Sequence, residues 1–136
     1  MNAQPISYPS SLPRDLPSFD VVAAVERMMG RADLWWRVLT IFLDQFDDWE
    51  TGWRASQAVQ ENERKSVHAL RSAAANIGAV RLAAAAAALE TALQQPDTSQ
   101  QPLAFLRQQL HECFDEARRA AAQVLSHTPL PANEKP

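Results

Sequence analysis

The sequence predicts an all-α protein, an antiparallel four-helix bundle with a short accessory N-terminal helix. Three observations lead there. No proline falls between Ser18 and Gln95, and the only glycines are Gly30, Gly52 and Gly78. Alanine and leucine, both strong helix formers, are abundant. Apolar residues recur at three- and four-residue spacing in four long stripes, while valine and isoleucine are too few and alternate too poorly for a sheet.

Each element follows from local chemistry. Pro5, Pro9, Pro13 and Pro17 remove backbone donors and bias their neighbours away from helix, so residues 1–17 read as a flexible Pro-rich linker. The bundle is expected over 18–125. Ser18 is the candidate cap of the first helix, whose stripe is Val21, Val22, Val25, Met28 and Met29, and Gly30 is placed to stop it. Asp33 is the candidate cap of the second helix. Its stripe runs Trp35, Val38, Leu39, Phe42, Phe46, Trp49 and Trp53, over about five turns, with Gly52 weakening its end.

A polar break at Gln60–Asn62 opens the third long stretch, with Asn62 as candidate cap and Val67, Leu70, Ala74 and Ile77 as the inner face. After Gly78 the next helix follows with almost no loop, carrying Leu82, Ala86, Leu89 and Leu93. The run of alanines from Ala83 to Ala88 supplies helix propensity and close packing. Pro96 and Pro102 bound the break before the last helix, with Leu103, Leu106, Leu110, Phe114, Ala117, Ala121 and Val124. Residues 126–136, with Pro129, Pro131 and Pro136, read as a disordered tail. Stripes of this length must be buried against one another, and short connections favour antiparallel neighbours.

Composition narrows the function. The 136 residues suffice for one domain, and a net charge of -3 argues against a nucleic-acid binder. A single cysteine, Cys113, excludes a disulfide framework and fits a cytoplasmic setting; beside the stripe residue Phe114 it reads as a partly buried, inert thiol. No apolar run is long enough to span a membrane. There is no phosphate-cradling glycine loop, so autonomous kinase activity is not expected. His68, His111 and His127 have no metal-ligand spacing, and Asp44, Asp47, Asp48 and Glu50 read as a solvated acidic face rather than a metal site.

His68 stands apart. At about 100° per residue it lies opposite Ile77 and away from Leu70 and Ala74, so its imidazole faces outward. Ser72 and Ala75 share its face and are small, and Arg64 and Arg71 lie one turn before and after it. A phosphoryl group on the imidazole would meet guanidinium donors there. Geometry alone still favours an ordinary surface histidine.

The segment His68-Ala69-Leu70-Arg71-Ser72, followed by Gly78, resembles the signature of histidine phosphotransfer (HPt) domains: the acceptor histidine, an apolar residue, a basic residue, a small residue and a later glycine. The likeness continues through Arg81-Leu82 and Leu89-Glu90, and upstream through Leu16–Asp20 and Gly30–Leu34. Arg71 stands where lysine is commoner, keeping the charge and gaining bidentate reach. Ser72 stands where glycine is usual; its hydroxyl could crowd a docking partner or bond a phosphoryl group.

The resemblance implies a relay of phosphoryl groups between receiver-domain aspartates through a phosphohistidine at His68, with Arg71 stabilising the phosphoryl charge. Arg64, Ser72, Ala75 and Glu90 are candidate binding residues. Trp36 joins them because adjacent Trp35 and Trp36 cannot both face one core squarely, and an exposed aromatic can anchor an interface; partial burial against the first helix is the alternative. The implied partners are response-regulator receiver domains and a hybrid sensor kinase, with Mg²⁺ supplied by the receiver and no cofactor of the chain's own. A monomer without membrane contact is expected, as a stand-alone protein or, given the proline-spaced arm, a piece of a hybrid kinase. The competing reading is an HPt-shaped docking module that accepts no phosphate.

Overall fold

A computed structural model describes residues 12–127, with no side chain described for His127. They form six helices and no strand: α1 Val21–Arg27, α2 Ala32–Gln45, α3 Trp49–Ser56, α4 Gln60–Ile77, α5 Val80–Leu93 and α6 Leu103–His127. Cross-links fix the directions. Trp35 pairs with Ile77, Trp49 with Ser66 and Trp53 with Glu63, so α2 and α3 together run antiparallel to α4. His68–Glu90 joins α4 to antiparallel α5, and Arg81–Glu116 joins α5 to antiparallel α6. The product is the expected antiparallel bundle, with α1 packed on α2 and α4.

The caps differ from expectation at three helices. Asp20, not Ser18, caps α1, its Oδ1 accepting from the Ala23 N–H at 3.1 Å. Ser18 instead sits in the left-handed region and donates its hydroxyl to Glu116 at 2.6 Å. Arg31 precedes α2, and Asp33 lies in its first turn, paired with Arg31 at 2.8 Å. α4 starts at Gln60, before Asn62. Its opening is tied down by the Gln60 amide, which donates to the Leu93 and Gln95 carbonyls, both at 2.7 Å.

The second stripe is two helices rather than one. The break falls at Phe46–Asp48, ahead of Gly52. Asp44, Asp47 and Asp48 crowd the C-terminal end of α2, where the helix dipole disfavours carboxylates; at the start of α3 the same dipole favours Asp48 and Glu50. The restarted helix stacks Trp49 on Trp53 at 5.0 Å and sends both indole N–H groups to α4.

The core contains most of the predicted stripes: Leu39, Phe42, Val67, Leu70, Ile77, Leu82, Leu89, Leu110 and Phe114 are all buried. Met29 is a correction: α1 ends at Arg27, and Met29, beyond it at φ +61°, is turned out to solvent. Trp36 is a correction. Both it and Trp35 are fully buried, their rings meeting edge to face at 5.1 Å. Because α2 is covered by α1 on one side and by α4 and α6 on another, neighbouring positions about 100° apart both face protein.

Residues 12–17, assigned to the linker from sequence, form turns that bury Leu12 and lay Leu16 against the core. Residues 1–11 and 128–136 lie outside the described residues. Ser126 and His127 belong to α6.

One glycine is indispensable to this geometry. Gly78 ends α4 at φ +79°, and its backbone lies so close to α1 that a Cβ there would sit 2.6 Å from the Asp20 carbonyl oxygen. Its own carbonyl accepts the Asp20 N–H at 2.8 Å. The chain therefore reverses at Gly78–Ala79 and passes directly into α5.

Candidate functional site

The α4–α5 hairpin brings four of the sequence-selected residues together. His68 points outward from the middle of α4, its side chain 57% exposed. Glu90, across the hairpin on α5, is buried, with 3% of its side chain exposed. His68 Nδ1 lies 2.7 Å from Glu90 Oε2, and Arg71 Nη1 donates to Glu90 Oε1 at 2.9 Å. Arg64 Nη1 stands 3.7 Å from Glu90 Oε2, while its Nε and Nη2 hold Glu61 at 2.9 and 2.8 Å. One buried carboxylate thus gathers an imidazole and two guanidinium groups.

Electrostatics then decide the imidazole's tautomer. Burial by itself raises the Glu90 carboxyl, but the hydrogen bonds from Arg71 and His68, with their charges, outweigh it and hold the group below the ordinary carboxylate range. Glu90 is therefore ionised at neutral pH and can only accept. The hydrogen between it and His68 belongs to Nδ1, which leaves the lone pair of the neutral ring on Nε2. The arrangement can present a nucleophilic nitrogen to a docking molecule, with cationic donors beside it.

Ser72 and Ala75 are exposed on α4. The Ala75 carbonyl accepts from Arg27 Nη2 at 2.8 Å, so α1 braces the C-terminal end of this face. Sequence reasoning did not select Arg27; a basic residue closing α1 was the available signal. Trp36, selected as an exposed anchor, is in the core and lines no surface. Glu90 was singled out only through the family likeness, yet it is the hub. Among the described residues no cluster of three or more His, Cys, Asp or Glu side chains is arranged to hold a metal ion. No helix there is long and apolar enough to cross a membrane.

A family model for the Hpt domain matches residues 37–120. The chain belongs to the Hpt domain family. That span of this Hpt domain runs from early α2 through most of α6, and it includes His68, Arg71 and Glu90. α1 and the turns before it precede the match. Hpt domains serve phosphorelay signalling in two-component systems as phosphotransfer carriers. No curated protein and no solved structure matches this Hpt domain.

Proposed function

We propose that His68 accepts a phosphoryl group from a receiver-domain aspartyl phosphate and passes it to the aspartate of a second receiver. The observation that carries this reading is the Glu90 hub, which holds the His68 hydrogen on Nδ1 and leaves Nε2 free on an exposed ring. In the forward step the Nε2 lone pair attacks phosphorus. The N–P bond forms as the P–O bond to the aspartate breaks, and the carboxylate leaves with the electron pair. The positive charge developing on the imidazole is offset by Glu90, which keeps its hydrogen bond to Nδ1 throughout.

Arg71 lies on the histidine's face and supplies charge to the transferring phosphoryl group, with Arg64 behind it. At an exposed position such a charge is worth about 1 kcal/mol at most, or about fivefold in rate. Its part is therefore to orient and bias, not to drive the reaction. In this reading the receiver contributes Mg²⁺ and most of the charged machinery, since transfer of this type is largely positioning and electrostatics. Ser72 and Ala75 leave room beside the ring for the docking receiver. The chain works as a carrier without kinase activity of its own, as a monomer in the cytoplasm, with a hybrid sensor kinase upstream.

The test is transfer of labelled phosphoryl from a phosphorylated receiver to wild type, His68→Gln and Arg71→Ala. The expected result is acid-labile, base-stable label on wild type, none on His68→Gln, and transfer slowed about fivefold in Arg71→Ala. Absence of label on folded wild type across a full panel of receivers would leave the docking-only reading in its place.

A further inference from the structure

A second histidine repeats the arrangement of His68 with different residues. His111, on α6, places Nδ1 2.6 Å from Glu50 Oε2 on α3. Arg54 Nη2 donates to the same oxygen at 2.7 Å. With Arg54 donating, Glu50 acts as acceptor at that oxygen, so the shared hydrogen belongs to His111 Nδ1 and the lone pair to Nε2. Histidine, carboxylate and arginine recur as residue types with no residue common to the two groups; here both donors share one oxygen, and the Glu50 side chain is 23% exposed where that of Glu90 is buried.

The surroundings differ in a way that selects the donor. His111 is 39% exposed, and it lines a recess of about 180 Å³ together with Trp53, Arg54, Gln57, Arg107 and Gln108. Bidentate bonds to buried Glu63, at 2.7 and 3.0 Å, hold the Arg107 guanidinium in place. On this measure one water needs about 10–15 Å³, so the recess has room for a phosphoryl group and a few waters. A docked protein domain needs an interface of about 800 Å² on each side and a ring that stands clear of its neighbours. His68 is the more exposed ring and has small Ser72 and Ala75 on its face; His111 sits in a recess lined mostly by long side chains. Cationic and amide groups on the lining suit a small phosphorylated molecule.

We propose that His111 is a second phosphoryl-accepting histidine, modified on Nε2 by small phosphoramidate-type donors rather than by a docked receiver. In the step, the Nε2 lone pair attacks phosphorus and an N–P bond forms. The donor's own N–P bond breaks, and its protonated nitrogen leaves as the free amine, ammonia for phosphoramidate itself. The imidazole retains its Nδ1 hydrogen, and its positive charge is balanced by Glu50. The assignment stands independently of the role of His68.

The test uses the full chain carrying His68→Gln, with potassium phosphoramidate as donor. Phosphorylation of His111 is followed by intact mass with fragmentation under acid-free conditions, and the isomer is read by ³¹P NMR. The same variant unfolded in urea, and folded His68→Gln/Glu50→Gln, serve as references. The expected result is one phosphoryl on His111 in the folded chain, all of it the Nε2 isomer. It should form about tenfold faster than in the unfolded chain, the gain expected of one hydrogen bond to a charged group, with rate and isomer purity both lost when Glu50 is replaced. No label on His111 in the folded chain, or label at the unfolded chain's rate and isomer mixture, overturns the assignment.

Discussion

Replacing Gly78 with alanine attacks the hairpin that carries the site, and its cost can be worked from the geometry. The residue occupies φ +79°, where a Cβ costs about 1–2 kcal/mol. The added methyl would also stand 2.6 Å from the Asp20 carbonyl oxygen and 3.0 Å from the Ala24 Cβ. Overpacking of this type costs about 1–3 kcal/mol. The upper half of that range applies, because the nearest atom is backbone and no rotamer change relieves it. Against this, alanine restricts the unfolded chain and returns about 0.4–1 kcal/mol. The expected net loss is about 3 kcal/mol, or roughly 10 °C in Tm for a domain of this size. Urea titration followed by tryptophan fluorescence measures it, with the m-value unchanged. Gly52→Ala is the internal control. Nothing lies within 4 Å of a Cβ there, so the exchange in exposed α3 should stabilise by about 0.5–1 kcal/mol. A Gly78→Ala loss below about 1 kcal/mol would refute the argument that the α1 backbone closes this position.

The Glu90→Gln variant tests the hub through pH. The folded carboxyl lies below its unfolded value, so the stability it contributes is fully present above the ordinary range near about 4.3 and is lost as pH falls through the folded value. The stability gap between wild type and Glu90→Gln should be full at neutral pH and close on acidification; a gap that persists unchanged into strong acid would contradict this. Arg107→Ala leaves Glu63, which is fully buried, with only the Trp53 indole as side-chain partner among the described residues, at a cost of about 3 kcal/mol. Adding Glu63→Gln to that variant should recover part of the loss in thermal melts, and a still larger loss would argue against an unpaired charge as the cause. Burial pushes the Cys113 thiol up, so the folded chain should react with an aromatic disulfide more slowly than the urea-unfolded chain. Equal rates would place that sulfur at the surface.

The inner faces and the reversal of the α4–α5 hairpin are legible in the sequence. Val67, Leu70, Ala74 and Ile77 mark one inner face, Leu82, Ala86, Leu89 and Leu93 the other, and a lone glycine between them marks the reversal. The outward direction of His68 followed from the same arithmetic. The break between α2 and α3 was hidden because Trp49 and Trp53 continue the apolar spacing of Phe42 and Phe46 across it. Periodicity records which residues face inward, not whether the backbone between them is continuous. Trp36 is hidden for a related reason: an apolar stripe marks one covered side of a helix, and α2 is covered on two. Glu63 and Glu90 look like solvated carboxylates in the sequence. Their burial depends on arginines 44 and 19 residues away, and no local pattern reports such pairing. At α1 two cap-type side chains, Ser18 and Asp20, lie close together and the local pattern does not choose between them; α2 and α4 start after Arg31 and Val59, with no side-chain cap at all.

The hairpin also acts as a ruler. His68 and Glu90 are 22 residues apart, with Ala79 midway. Their meeting therefore depends on the number of residues in the turn as much as on their identities. One residue inserted at Gly78–Ala79 would bring apolar Leu89 to the level of His68 and carry Glu90 past it; one deleted would bring Thr91. Either change would also turn the α5 stripe by about 100° away from the core. Length variation among descendants of this chain should consequently be absent from the turn and fall in the exposed 94–102 connection, whose length sets no such pairing.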